Sequence, residues 1–203
     1  LALSINRWAA NNSVIHFILQ IPLAAPHLVI GIAMTFLIAP SGLVARFLSQ
    51  LSGIEMQSNF PALINDKWSV GIILVYIWKE IPFITLMLLA VLKNMGDELL
   101  EVGVTLKATT FQRFRYITLP IIRPSLNASC CIVFAFTFGA FEIPYLLGQT
   151  YPLTLPVWAY KNYSDIDLLA RPEGIGIGLI IAVIVTFSVL LAERVFPRSY
   201  RQK

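Results

Sequence analysis

Apolar residues dominate four long windows of this chain, and polar residues collect between them. The windows run from Val14 to Ala39, Trp68 to Leu92, Pro120 to Leu147 and Ile175 to Ala192. Each falls in or above the range of roughly 17–25 helical residues that crosses a hydrocarbon core about 30 Å thick. Pro22 and Pro26 interrupt the first window and Pro82 the second. Such prolines predict kinks or breaks rather than the loss of a span, because neighbouring helices and side chains re-satisfy the freed backbone groups. The pattern predicts an all-α membrane protein with about four transmembrane helices.

Lys and Arg are distributed unevenly among the connections. Arg7 precedes the first window; Lys93, Lys107, Arg113, Arg115 and Arg123 surround the connection between the second and third; Arg194, Arg198, Arg201 and Lys203 follow the last. The opposite side holds Arg46, Lys67, Lys161 and Arg171, offset by Glu55, Asp66, Asp165, Asp167 and Glu173. An excess of cations marks the cytoplasmic side. Residues 93–120 and the C-terminus are therefore expected in the cytoplasm of a multi-pass plasma-membrane protein. Trp68, Trp158, Tyr151 and Tyr160 fall near the outer ends of the windows, where an aromatic belt would lie.

The connection over residues 97–120 has its own periodicity. Leu99, Val102 and Leu106 recur at helical spacing, with Asp97, Glu98 and Glu101 toward the start and Lys107 at the end, as the helix dipole favours. Thr109 or Thr110 can cap a second helix that gathers Phe111, Phe114 and Ile117 on one side and turns Arg113 and Arg115 away. Two short helices at an angle are predicted. By composition alone such a pair can also lie on the inner leaflet, with its arginines toward anionic lipid.

Composition narrows the class. The chain is 57% hydrophobic and 13% charged, against roughly 25% charged in a soluble domain. Its 203 residues carry no linker, repeat or low-complexity tract, so residues 1–203 read as a single domain, and the start at Leu1 is read as an incomplete N-terminus. The net charge is +4, but no basic stripe with interleaved aromatics forms, which argues against nucleic acid. Cys130 and Cys131 are adjacent, a spacing that suits neither a disulfide framework nor a metal, and no metal ligands are expected. His16 and His27 read as interfacial or hydrogen-bonded groups.

The 97–120 segment resembles the loop signature of permease subunits of type I ATP-binding-cassette importers: Glu-Ala-Ala, three residues and Gly, then nine residues and Ile-x-Leu-Pro. Glu101 takes the Glu position, Val102 and Gly103 the Ala positions, Lys107 the Gly position, and Ile117, Leu119 and Pro120 close the pattern. Lys107 departs from it, because glycine reaches left-handed backbone without strain and lysine does not. Pro22-Leu23-Ala24-Ala25-Pro26-His27-Leu28-Val29, Trp78-Lys79-Glu80-Ile81-Pro82-Phe83 and Phe141-Glu142-Ile143-Pro144-Tyr145-Leu146-Leu147-Gly148 look like core segments of the same permeases. The flavour is nearest the polyamine, thiamine, iron and sulfate or molybdate branch. Two further helices usually come earlier in that family, which would make Leu1 to Arg7 the tail of one.

The resemblance implies the type I permease fold with a cytoplasmic coupling helix pair. It also implies four partners: a cytoplasmic ATPase dimer, a second permease subunit, an external solute-binding protein and the bilayer. Glu101, Gly103, Leu106, Lys107, Ala108, Phe111, Ile117, Leu119 and Pro120 would form the docking loop, supported by Arg113 and Arg115 and joined stiffly to the next span by Leu119-Pro120. No catalytic residue or cofactor is expected, because the phosphate-cradling Gly-rich loop is missing; ATP and magnesium would belong to the ATPase. Ionisable residues inside spans are costly and point to function, so Lys79, Glu80 and Glu142 are pathway candidates, with interhelical pairing as their structural reading. The alternative function is a proton-coupled secondary transporter using those three as a relay.

Overall fold

The structure, a computed structural model, describes residues 13–52, 60–61, 63–95 and 98–195. Leu1 to Arg7, Glu55, Asp97, Arg198, Arg201 and Lys203, and the side chains of Glu98 and Leu99, lie outside the description. The described chain consists of helices and turns: α1 (Ser13–Ala24), α2 (His27–Ile38), α3 (Leu43–Ser52), α4 (Val70–Asn94), α5 (Glu98–Thr105), α6 (Thr110–Arg113), α7 (Leu119–Gly139), α8 (Glu142–Leu147), α9 (Leu155–Tyr163) and α10 (Arg171–Val195). A π-turn over Phe114–Thr118 joins α6 to α7, and a 3-10 turn over Leu168–Ala170 leads into α10.

Among the described residues, four helical runs are long and apolar enough to cross a membrane: His27–Leu51, Val70–Asn94, Thr110–Gly139 and Leu168–Val195. All four runs differ in their bounds from the sequence windows, the second by only two residues at each end, the last by extension to Leu168–Val195, and the first by a shift to His27–Leu51. The first window, read as Val14 to Ala39, is broken at Ala25-Pro26 into the 12-residue helices α1 and α2, because the residue before a proline is pushed out of helical geometry and Pro26 supplies no N–H. The third, read as Pro120 to Leu147, starts earlier, at Thr110, and stops at Gly139. Glu142 to Leu147 form the separate short helix α8 beyond a break, with Phe141 at its N-cap.

The residues gather in two compact units. One comprises described residues 13–23, 80–135 and 187–195. Its core is Leu88, Leu89 and Leu92 of α4 against Ile122 of α7, with Leu19, Leu119 and Leu126 packed around them. The entry and exit of the α5–α6 segment are thereby fastened to each other by apolar burial. The second unit comprises residues 24–79 and 136–186, among those described. There Ile143 and Leu147 of α8, both fully buried, pack with Ile30, Ile38, Ile72 and Val75. Gly31 lets α8 approach α2: a Cβ there would stand 2.8 Å from Leu146 Cδ1. Leu179, Val183, Phe187 and Leu190 of α10 are exposed, as befits a helix whose solvent is lipid.

Candidate functional site

The turn between α5 and α6 is built from two interlocking caps. Ala108 N–H donates to Gly103 O at 3.0 Å and Lys107 N–H to Val104 O at 2.8 Å. This pair of bonds is the Schellman closure of a helix C-terminus, which needs its C′ residue in left-handed backbone. That residue is Lys107, at φ 54°. Two residues on, Thr109 caps α6: its Oγ1 accepts from Gln112 N–H at 3.3 Å, and its own N–H donates to Gln112 Oε1 at 2.8 Å. This reciprocal capping box satisfies two orphan donors. With both helix ends closed by local bonds, the corner has little freedom to drift.

Gly103 sets the distance between the two arms. A Cβ there would meet Ile117 Cδ1 at 2.9 Å, Arg113 Cγ at 3.0 Å and Arg113 Cδ at 3.1 Å. The Arg113 stem therefore lies along the glycine and is half-buried, whereas the sequence reading turned it outward with Arg115. The missing side chain of Gly103 leaves a slot, and an arginine's methylenes fill such slots while its head stays polar.

Beyond the corner the chain does not begin a separate second helix; α6, the π-turn and α7 form one run, Thr110–Gly139. The wide turn has a cause in Pro120, whose ring would clash with the carbonyl four residues earlier and which donates no bond. Leu119 N–H reaches back to Phe114 O, a five-residue step. Single π-turns of this kind occur often at functional sites.

The expected docking residues separate into two sets. Glu101, Leu106, Lys107, Phe111 and Pro120 are exposed, with Leu106 at 75% and Phe111 at 72%. Gly103 is buried, and Ala108, Ile117 and Leu119 are half-buried, facing the corner or the core below it. Val104 and Tyr116, not singled out from sequence, join the exposed apolar set. An exposed apolar patch of this kind marks a protein or membrane contact. The Thr-x-x-Gln capping signature was the available sequence signal for the corner.

The pathway candidates are dispersed. Lys79 is 4% exposed, and its ammonium donates to Ala25 O at 2.7 Å, occupying an acceptor released by the Pro26 break. Glu80 is half-buried. Glu142 stands in the first turn of α8, where a carboxylate suits the dipole. His27 lies beside Phe136, ring centroids 4.6 Å apart, and His16 Nε2 is 3.4 Å from Lys93 Nζ. Of the aromatic belt, Trp68 and Tyr151 are exposed, while Tyr160 stacks on Phe141 at 4.2 Å. Among the described residues no cluster of His, Cys, Asp or Glu could hold a metal.

Four apolar runs among the described residues, joined by a structured connection, define a multi-pass membrane protein. The family described as binding-protein-dependent transport system inner membrane component matches residues 1–201, and the chain belongs to it. The inner membrane ABC transporter permease protein YdcU of Escherichia coli is 31% identical over 135 residues, 64% of this chain and 43% of that protein. A putative ferric transport system permease protein of Haemophilus influenzae is 29% identical over 173 residues, 83% of this chain and 26% of its own length. The chain thus spans less than half the length of these relatives. A crystal structure of a bacterial alginate ABC transporter, in complex with an alginate-bound periplasmic protein, contains a chain of the same fold. Its TM-score is 0.78 at 21% identity, covering 99% of this chain and 71% of that one.

Proposed function

We propose that this chain is the permease subunit of an ATP-driven importer and forms half of a translocation pathway with a second permease subunit. Residues 93–120 and the C-terminus face the cytoplasm in this reading, and the corner at Leu106 to Phe111 enters a cleft on an ATPase subunit. A separate external protein delivers the solute, and hydrolysis of ATP takes place in the ATPase. The observation that carries the reading is the exposed apolar corner, Leu106 and Phe111, held by the double cap over Gly103. A surface built to enter another protein needs apolar groups that are presented rather than buried, on a scaffold that is stiff before binding.

Proteins named for ferric iron, sulfate, molybdate or tungstate, and trehalose or maltose occur among the relatives at similar identity. That spread fits a common scaffold whose solute choice lies with an external binding protein. The proton-relay alternative has no counterpart among the relatives, which are named as permease proteins of transport systems.

The test is co-purification of the intact transporter with its ATPase. Gly103→Trp should push the arms apart, and Leu106→Asp should place a charge on the presented surface without touching the corner's internal bonds. Both are expected to lose most of the bound ATPase and of uptake, with Glu101→Lys weakening them less. Retention of ATPase and uptake in Gly103→Trp and Leu106→Asp alike would overturn the docking assignment.

A further inference from the structure

The run His27–Leu51 is not one straight rod, and α3, its last part, has 10 residues. At 1.5 Å per residue that is about 15 Å, half the hydrocarbon thickness. Ala39 is extended, with ψ 153°, and separates α3 from α2. At Gly42 the chain folds so closely over the end of α2 that a Cβ there would meet the carbonyls of Phe36 and Leu37 at 2.7 Å. The height of this turn is fixed by its neighbours. Ile38, the last residue of α2, packs with Ile72, and a Cβ on Gly71 would stand 3.3 Å from Ile38 Cδ1. Gly71 lies in the first turn of α4, where the apolar run Val70–Asn94 begins. Immediately before it, the Asp66 carboxylate accepts from Val70 N–H at 2.7 Å, and Lys67 and Trp68 are exposed. Charged residues and an exposed Trp at the start of an apolar run mark the membrane edge. The chain thus leaves α2 for α3 at that edge.

Around α3 the side chains sort into three arcs. Ala45 is buried, and α3 contacts α2, so one side is pinned to the fold. Leu43, Phe47 and Leu51 recur at helical spacing on a second side and are 63–70% exposed. Arg46 and Gln50, also exposed, occupy the adjoining third side. A helix with an apolar face of Leu and Phe beside a cationic polar face lies in the plane of a membrane interface, its apolar face sunk roughly 5–10 Å into the acyl boundary. We infer that α3 lies on the leaflet at the Trp68 end of α4, with Leu43, Phe47 and Leu51 among the upper acyl chains and Arg46 and Gln50 at the headgroups. That leaflet is the outer one in the orientation proposed above, but the depth of α3 is the same either way up. Seated there, α3 ties the joint of α2 and α4 to a fixed height in the bilayer.

The experiment uses the intact transporter, with its ATPase, in phosphatidylcholine bilayers, with Cys130 and Cys131 replaced by Ala. Single spin labels are placed through Leu43→Cys, Phe47→Cys, Leu51→Cys, Arg46→Cys and Gln50→Cys, and their access to oxygen and to a water-soluble nickel chelate is measured. The ratio of oxygen to nickel access should be several-fold higher at 43, 47 and 51 than at 46 and 50. Phe47→Trp, a conservative replacement, supplies a second readout: the emission it adds should be quenched by phosphatidylcholine brominated high on the acyl chain. Equal ratios at all five positions, or added emission that the brominated lipid leaves unquenched, would put α3 in water and overturn the proposal. Labels at 43, 47 and 51 closed to both reagents would assign the apolar arc to a second subunit and overturn it as well. These readouts report depth and not side, so they stand or fall separately from the cytoplasmic placement of residues 93–120.

Discussion

Lys107 holds a conformation that a glycine would hold at lower cost. At φ 54° its Cβ crowds the following carbonyl, a penalty of about 1–2 kcal/mol that glycine escapes. The Schellman bonds and the Thr109 cap hold the residue there regardless. Lys107→Gly should therefore tighten the corner, slowing amide hydrogen exchange at Ala108, the donor to Gly103 O, while Lys107→Val should speed it. Faster exchange in the glycine variant would show that Lys107 is not strained. The sequence located this residue only through the loop resemblance, since nothing in Lys-Ala-Thr-Thr itself demands left-handed backbone. Arg113 was misread for a related reason: helical spacing assigns a face, but the slot over Gly103 is made by an absent side chain on another helix.

Among elements, the broken first window depends on an interaction that local sequence does not announce. Pro22 and Pro26 made an interruption legible, because proline removes donors wherever it stands. The partner that satisfies Ala25 O is Lys79, 54 residues away, and no periodicity reports such a pairing. Replacing Lys79 with Met keeps the apolar stem and takes the ammonium donor from the half-buried Ala25 carbonyl, which costs about 1 kcal/mol. Lower thermal stability of the complex with unchanged solute affinity is the expected result; unchanged stability with weakened affinity would return Lys79 to the pathway. The π-turn was equally invisible, although Pro120, its cause, was already noted as a stiff joint. The break after Gly139 was missed because Phe141 to Leu147 is as apolar as a span, and Ile143 and Leu147 serve instead as core of the second unit.

At the scale of the whole molecule, hydropathy gave four apolar windows and the described residues carry four apolar runs, because a bilayer requires long apolar helices whatever their packing; the first run, though, lies at His27–Leu51 rather than Val14 to Ala39. Side of the membrane rests on the Lys and Arg excess, which is tested by labelling. With Cys130 and Cys131 replaced by Ala, Thr105→Cys should react with an impermeant maleimide in inside-out vesicles, and Asp165→Cys in intact cells. The opposite pattern would invert the topology and remove the ATPase from reach. The run Thr110–Gly139 has 30 residues, about 45 Å of helix, whereas the hydrocarbon needs about 30 Å; roughly 15 Å stands in water with Phe111 near its tip. Leu119, Ile122 and Leu126 grip this rod against α4, and a rod gripped part-way along is a lever. From Ile122, in the middle of the grip, to Phe111 is about 17 Å and to Ala135 about 20 Å at 1.5 Å per residue. A push of a given size at the corner would thus be delivered on the far side of the grip as a sideways motion of about the same size and opposite in direction.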